Sequence, residues 1–218
     1  TTRLIVSINR HESLPLAAQV SYLAAERQED GIVALGLAGD EINFSIDPFI
    51  KIFESAKRKE LHITVHAGEW GSAENVSQAI QRFSADRIGH GIHILNSPDA
   101  LNLARKCKTT FEVCITSNRQ SGAVPISSLH PLPQMLAMGL NVTINTDDPS
   151  VSQIDLSHEY RLCIEEFGMS LNDLRDCILS AAQAAFITPN QRKKLTEHIA
   201  RDFPQDLSEA LKMISSEN

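Results

Sequence analysis

Short apolar runs alternate with longer amphipathic stretches from the first residues onward. Residues 4–8 form the first run, and a helical pattern follows over 16–27. Residues 31–36 form the second, followed by a helix over 48–59 with a proline in its first turn. The third run, 61–65, precedes a helix over 73–83, and the fourth, 87–90, precedes one over 98–107. The fifth, 110–115, precedes a helix near 133–138, and 141–145 is the sixth. Beyond it the pattern is wholly helical, over 155–167, 171–186 and, with breaks, 190–212.

Runs this short and this apolar predict strands buried on both faces. Six strand–helix units in strict alternation predict a parallel sheet covered by helices, an α/β fold. Two closures fit: an open doubly wound sheet, or most of a (β/α)8 barrel, which typically takes ~250 residues. The polar residues decide between them. Asp40 and Glu41, His66 and Glu69, His90 and His93, Ser117 and Asn118, and Asp147 and Asp148 each follow a different strand. A barrel gathers all such strand ends at one mouth, whereas a doubly wound sheet concentrates its chemistry at one switch point beside a Gly-rich turn. No GxGxxG or GxxxxGK[ST] occurs, so the expectation is an incomplete (β/α)8 barrel. Residues 1–218 carry no Gly/Ser- or Pro-rich linker and read as a single domain.

Composition narrows the function. Hydrophobic residues make up 42% of the 218 and charged residues 22%, an ordinary globular balance. A net charge of −7, with no basic run longer than Arg192-Lys193-Lys194, argues against nucleic acid or anionic membrane as partner. The charged C-terminal residues at helical spacing read as a solvated face. No apolar run is long enough to span a bilayer, and no signal peptide is visible. Cys107, Cys114, Cys163 and Cys177 lack CxxC spacing and suit buried thiols in the reducing cytoplasm. The chain enters its first strand directly after Thr1-Thr2-Arg3 and reads as entering a domain midway.

Four strand-end segments can do chemistry. In His66-Ala67-Gly68-Glu69 a metal ligand and an acid lie on either side of a turn-permitting glycine; the plainer alternative is a hydrogen-bonded His and a capping Glu. His90, between Gly89 and Gly91, is open to close approach by a small ligand, with a structural strand-end role as the plainer alternative, while His93 reads as structural. Asp147 and Asp148 end a buried strand, a costly place for two carboxylates unless a cation or donors offset them; a cap and turn before Pro149 is the alternative. Gly39 offers an exposed backbone amide beside Asp40 and Glu41. Brought to one mouth, a His and an Asp suit zinc, and a nearby Glu and His suit proton transfer around an activated water.

These motifs, in this order, resemble the adenosine deaminase family of the amidohydrolase superfamily. The stretches that carry the resemblance are residues 37–41 (LAGDE), 65–69 (VHAGE), 87–91 (RIGHG), 114–118 (CITSN), 130–132 (HPL) and 145–149 (NTDDP). The resemblance implies a zinc-dependent hydrolytic deamination of adenosine or deoxyadenosine to inosine, with adenine or another 6-aminopurine as the alternative substrate. It implies His66 and Asp147 as zinc ligands and Glu69 as the acid for purine N1. It further implies His90 as the group that orients, and takes a proton from, the attacking water, Asp148 as the partner of N7, and the Gly39 amide as the partner of N3. The family's His-x-His, which supplies two further zinc ligands, occurs nowhere in the 218 residues. The expectation is therefore a piece equivalent to about strands 3 to 8 plus the C-terminal helices. It would depend on an N-terminal segment, either a separate chain or lost, and be inactive alone; a degenerate barrel serving as a binding fragment is the reading of another class.

Overall fold

In a computed structural model, which describes residues 2–204 and 206, six parallel strands stand side by side in chain order. They are β1 (Leu4–Asn9), β2 (Ile32–Ala38), β3 (His62–Ala67), β4 (Arg87–His90), β5 (Thr110–Val113) and β6 (Asn141–Ile144). Each is paired with the next in parallel register. An order that never reverses has no switch point, so the doubly wound alternative is out and the sheet is six successive units of a (β/α)8 barrel.

The helices α1 (Leu14–Glu26), α2 (Ile50–Arg58), α3 (Ala73–Phe83) and α4 (Pro98–Cys107) return the chain between the first five strands. Two short helices, α5 (Ile115–Gln120) and α6 (Leu132–Ala137), lie between β5 and β6. After β6 come a single turn, α7 (Pro149–Ser152), and then α8 (Leu156–Glu165), α9 (Leu171–Ala184) and α10 (Pro189–Asp202). Their starts follow local capping chemistry. Ser170 with Asp173 opens α9, and Thr188 with Gln191 opens α10, each as a reciprocal pair of side-chain and backbone bonds. One continuous apolar core joins sheet and helices: Leu35, Leu37, Ile63, Val65, Ile88 and Phe111 on the strands are fully buried, and Phe53 of α2 stacks on Phe83 of α3. Burial contributes about 1.5–3 kcal/mol for each such side chain, enough to hold the strand ends in place.

Several boundaries differ from those expected, and β3 extends to Ala67 so that His66 lies inside the strand. β2 runs two residues further, to Ala38, so that Gly39 turns out of the sheet at φ +93°. β5 stops at Val113, and the unexpected α5 begins where the buried Glu159 carboxylate of α8 accepts from the Ile115 amide at 2.8 Å and the Thr116 amide at 3.2 Å. The turn of α7 after Asp148 was also not apparent from the apolar pattern. The last helix ends at Asp202, with Phe203 extended before Pro204; the remainder of the expected 190–212 stretch lies, apart from residue 206, outside the described residues.

Candidate active site at the C-terminal ends of the strands

His66 sits one residue before the end of β3, and its neighbour in register on β4 is Gly89. A methyl group at Gly89 would lie 2.8 Å from His66 Cδ2, so the imidazole can rest over β4 only because residue 89 has no side chain. His90 ends β4 at φ +63° and Asp147 follows β6 at φ +57°, left-handed conformations that non-glycine residues seldom adopt. Each costs about 1–3 kcal/mol and persists only where surrounding contacts enforce it, which is typical of functional positions.

These conformations bring four of the predicted residues together. His66 Nδ1 is 4.0 Å from Glu69 Oε2, and the His66 and His90 rings meet edge to face with centroids 4.8 Å apart. His90 Nε2 is 3.3 Å from Glu69 Oε2 and 3.9 Å from Asp147 Oδ2. The Ser117 hydroxyl donates to Asp147 Oδ2 at 2.7 Å. His66, His90 and Asp147 line a cavity of about 520 Å³ whose walls include Ser7, Thr64 and Glu112. Gly39 and Asp148 are exposed at the same end of the sheet, after β2 and β6, outside this cluster. His93 is structural: its Nδ1 lies 3.2 Å from the Gly68 carbonyl oxygen, to which its backbone N–H also donates at 3.0 Å.

Burial sets the protonation of the cluster. His90 is 2% exposed, and desolvation, followed by the neighbouring His66, pushes its pKa down. Desolvation lowers that of His66 as well, although 36% of its side chain still faces the open mouth; Asp147 and Glu112 oppose the shift. Both imidazoles are therefore neutral near pH 7, the form that ligates metals. Glu69 moves the other way, raised to about 7 by burial and then by the charges of Asp147 and Glu41. A carboxyl with a pKa of about 7 can both take and give a proton at neutral pH.

Two sets of donors could hold a metal among the described residues: His66, Glu69 and His90, and His90, Cys114 and Asp147. Burial and four surrounding carboxylates push the Cys114 thiol far up, so sulfur is a poor candidate and the nitrogen and oxygen donors remain.

Several supporting residues carry no role in the sequence reading. The buried carboxylate of Glu41 accepts from four successive amides, those of Gly68, Glu69, Trp70 and Gly71, at 2.7–2.8 Å, and so fixes the turn that presents Glu69. Arg10, 3% exposed, donates from Nη2 to the His66 carbonyl at 2.6 Å. Asn118 and His130, both buried, stand behind His90, with Asn118 Nδ2 3.1 Å from His90 Nδ1. Glu41 and Asn118 are visible in the motifs, but partners 27 to 30 residues away are not.

Residues 1–202 match the family model described as adenosine deaminase. An adenosine deaminase of Klebsiella pneumoniae is 35% identical over 185 residues, 85% of this chain and 56% of its own length. An adenine deaminase of Arthrobacter aurescens superposes with a TM-score of 0.86 at 25% identity, over 92% of this chain and 61% of that one. The N6-methyl-AMP deaminase of Arabidopsis superposes with a TM-score of 0.82 at 26% identity, over 91% and 59%. The chain thus spans little more than half the length of its curated relatives.

Proposed function

This chain belongs to the adenosine deaminase family, and on that premise we propose that the full-length protein hydrolytically deaminates adenosine and deoxyadenosine to inosine nucleosides and ammonia. The observation that carries the reading is the meeting of His66, Glu69, His90 and Asp147, from β3, β4 and β6, within one cluster at the strand ends. Residues 1–218 act as one catalytic domain of that protein, in the reducing cytoplasm that suits four free thiols.

The donors fit a zinc ion. Burial holds His66 in its neutral, ligating form, and the Ser117 hydroxyl orients the Asp147 carboxylate by donating to Oδ2 at 2.7 Å. When bound by His66 and Asp147, zinc supplies a water whose pKa is lowered towards ~7. A catalytic zinc takes about three protein ligands, so the remaining donors come from a segment of the full-length protein outside these residues, in the same or a separate chain. Residues 1–218 alone are then inactive.

The chain's own groups supply the rest. Glu69 gives its proton to purine N1, which makes C6 electrophilic. His90 orients the water that attacks C6. The exposed Asp148 carboxylate pairs with N7 and the Gly39 amide with N3. Water adds to C6, the amino group takes up a proton and leaves as ammonia. A second substrate reading, adenine or another 6-aminopurine, is favoured by the similarity to an adenine deaminase; Glu69, Asp148 and Gly39 all address the base, not the sugar.

The test is ammonia release by the purified full-length protein, with adenosine, adenine and AMP compared at equal concentration before and after chelation. Adenosine should give the highest kcat/KM, and chelation should abolish turnover reversibly. No ammonia from any 6-aminopurine by the zinc-loaded protein would sink the reading.

A further inference from the structure

A chain of buried hydrogen bonds behind His90 fixes where its proton sits. The backbone N–H of Leu132 donates to His130 Nδ1 at 3.1 Å. A backbone amide can only donate, so Nδ1 of His130 must accept. Burial, and then Arg119, hold the His130 pKa down at about 4, so the ring is neutral and its single proton is on Nε2. That Nε2 is 3.3 Å from Asn118 Oδ1, which accepts. The side-chain amide of Asn118 thereby turns its NH2 to His90 Nδ1, 3.1 Å away. Reversing the amide would set its NH2 against His130 Nε2–H, two donors face to face. The orientation of Asn118 therefore follows from counting protons. His90 Nδ1 must then accept, and the one proton of the neutral ring lies on Nε2, the nitrogen facing Glu69 and Asp147. Asn118 is fully buried and His130 is 3% exposed, so no bulk water competes for these positions.

We propose that Asn118 and His130 are positioning residues that lock His90 as an Nε2–H donor into the active site, so that His90 holds the attacking water and the developing oxyanion by donation and is not the base that deprotonates the water. This deepens the functional reading above and rests on it for the identity of the reaction. It replaces the proton-accepting role that the family resemblance implies for His90. The ionised carboxylate of Glu69, 3.3 Å from that Nε2, then takes the water's proton. The water oxygen bonds to C6, the C6–N1 π pair moves to N1, and Glu69 returns the proton to N1. Glu69 leaves the step ionised as it entered, and no further co-reactant is needed.

The test reads the tautomer directly. In the full-length protein with 15N-labelled histidine, two-bond proton–nitrogen correlation spectra separate Nε2–H from Nδ1–H rings, and His90→Gln identifies the signal. Native protein should show His90 protonated on Nε2. Asn118→Asp can only accept on both sides, so it should move the His90 proton to Nδ1. Its kcat should fall about 100-fold, the scale of losing one transition-state donor, with KM little changed. His130→Gln, whose terminal amide still donates to Asn118, should keep the Nε2–H signal and most of kcat. An Nδ1–H ring in native protein, or full kcat in folded Asn118→Asp with the proton relocated, would overturn the proposal. Because the spectrum needs no substrate, an Nε2–H ring in a protein that deaminates no purine sinks the functional reading alone.

Discussion

Glu69 concentrates the conflict between stability and chemistry in one side chain. Its pKa is raised from 4.5 to about 7, chiefly by desolvation, so at neutral pH the fold carries a carboxyl that water would stabilise better when charged. A folded-state pKa above the unfolded value means the protonated group favours the fold below about pH 4.5, and that this contribution is lost as pH rises through about 7. A shift of that size corresponds to ~3 kcal/mol at high pH, as an upper figure for a side chain that is 13% accessible. In chelated protein, Glu69→Gln should therefore be more resistant to urea than the native protein at pH 8.5, with the two converging near pH 4. Equal midpoints at pH 8.5 would show that Glu69 is not perturbed. The same substitution removes the N1 acid and should lower kcat by about 10²–10⁴-fold. It should also remove the inflection in kcat/KM near pH 7 at which Glu69 titrates. The chemically capable residues were legible in the sequence because each follows an apolar run at a strand end. What the sequence could not disclose was their protonation, which depends on atoms brought from four strands.

At the scale of elements, two buried carboxylates do for the active-site loops what capping residues do for ordinary helices. Glu41, after β2, gathers the amides of residues 68–71, and Glu159, on α8, gathers those of Ile115 and Thr116. The first fixes the turn carrying Glu69; the second ends β5 early and starts α5, which carries Ser117 and Asn118. This explains why the fifth strand was expected to run two residues too far: local pattern favours continuing Cys114-Ile115, and the competing acceptor lies 44 residues away. A helix six residues long, with no capping side chain of its own, leaves no periodic signal to read. Helices with local caps, such as those opened by Ser170 and Thr188, were placed to within a residue at their starts. Glu41→Ala orphans four amides at once and should cost roughly 3–5 kcal/mol, read as a lower urea midpoint with unchanged slope. Glu41→Gln keeps one acceptor and should cost less. If Glu41→Ala unfolds at the native midpoint, the carboxylate does not hold the turn.

At the scale of the molecule, the strand order decided what periodicity alone left open. Six apolar runs are compatible with either closure, and only the distribution of polar strand ends pointed to a barrel; the unreversed order β1 to β6 agrees. The same order leaves β1 and β6 as outer strands among the described residues, with Leu4 55% and Ile5 37% exposed on β1. A site read from strand ends is then only as complete as the set of strands. In the proposed site, His66 and Asp147 are about half of a four-ligand donor set. Structural zinc sites with full sets contribute ~10–16 kcal/mol, so half a set leaves ~5–8 kcal/mol, a Kd between about 0.1 mM and 1 µM. Titration of residues 1–218 with zinc should give an affinity in that range, lost in His66→Ala and in Asp147→Ala, with no purine turnover. The full-length protein should bind at least a hundredfold more tightly, because each added ligand contributes to a site the sheet already orients. Nanomolar zinc binding by residues 1–218 alone would mean that Glu69, His90 or Cys114 closes the coordination shell. The acid and the orienting histidine would then be committed to the metal and withdrawn from the purine.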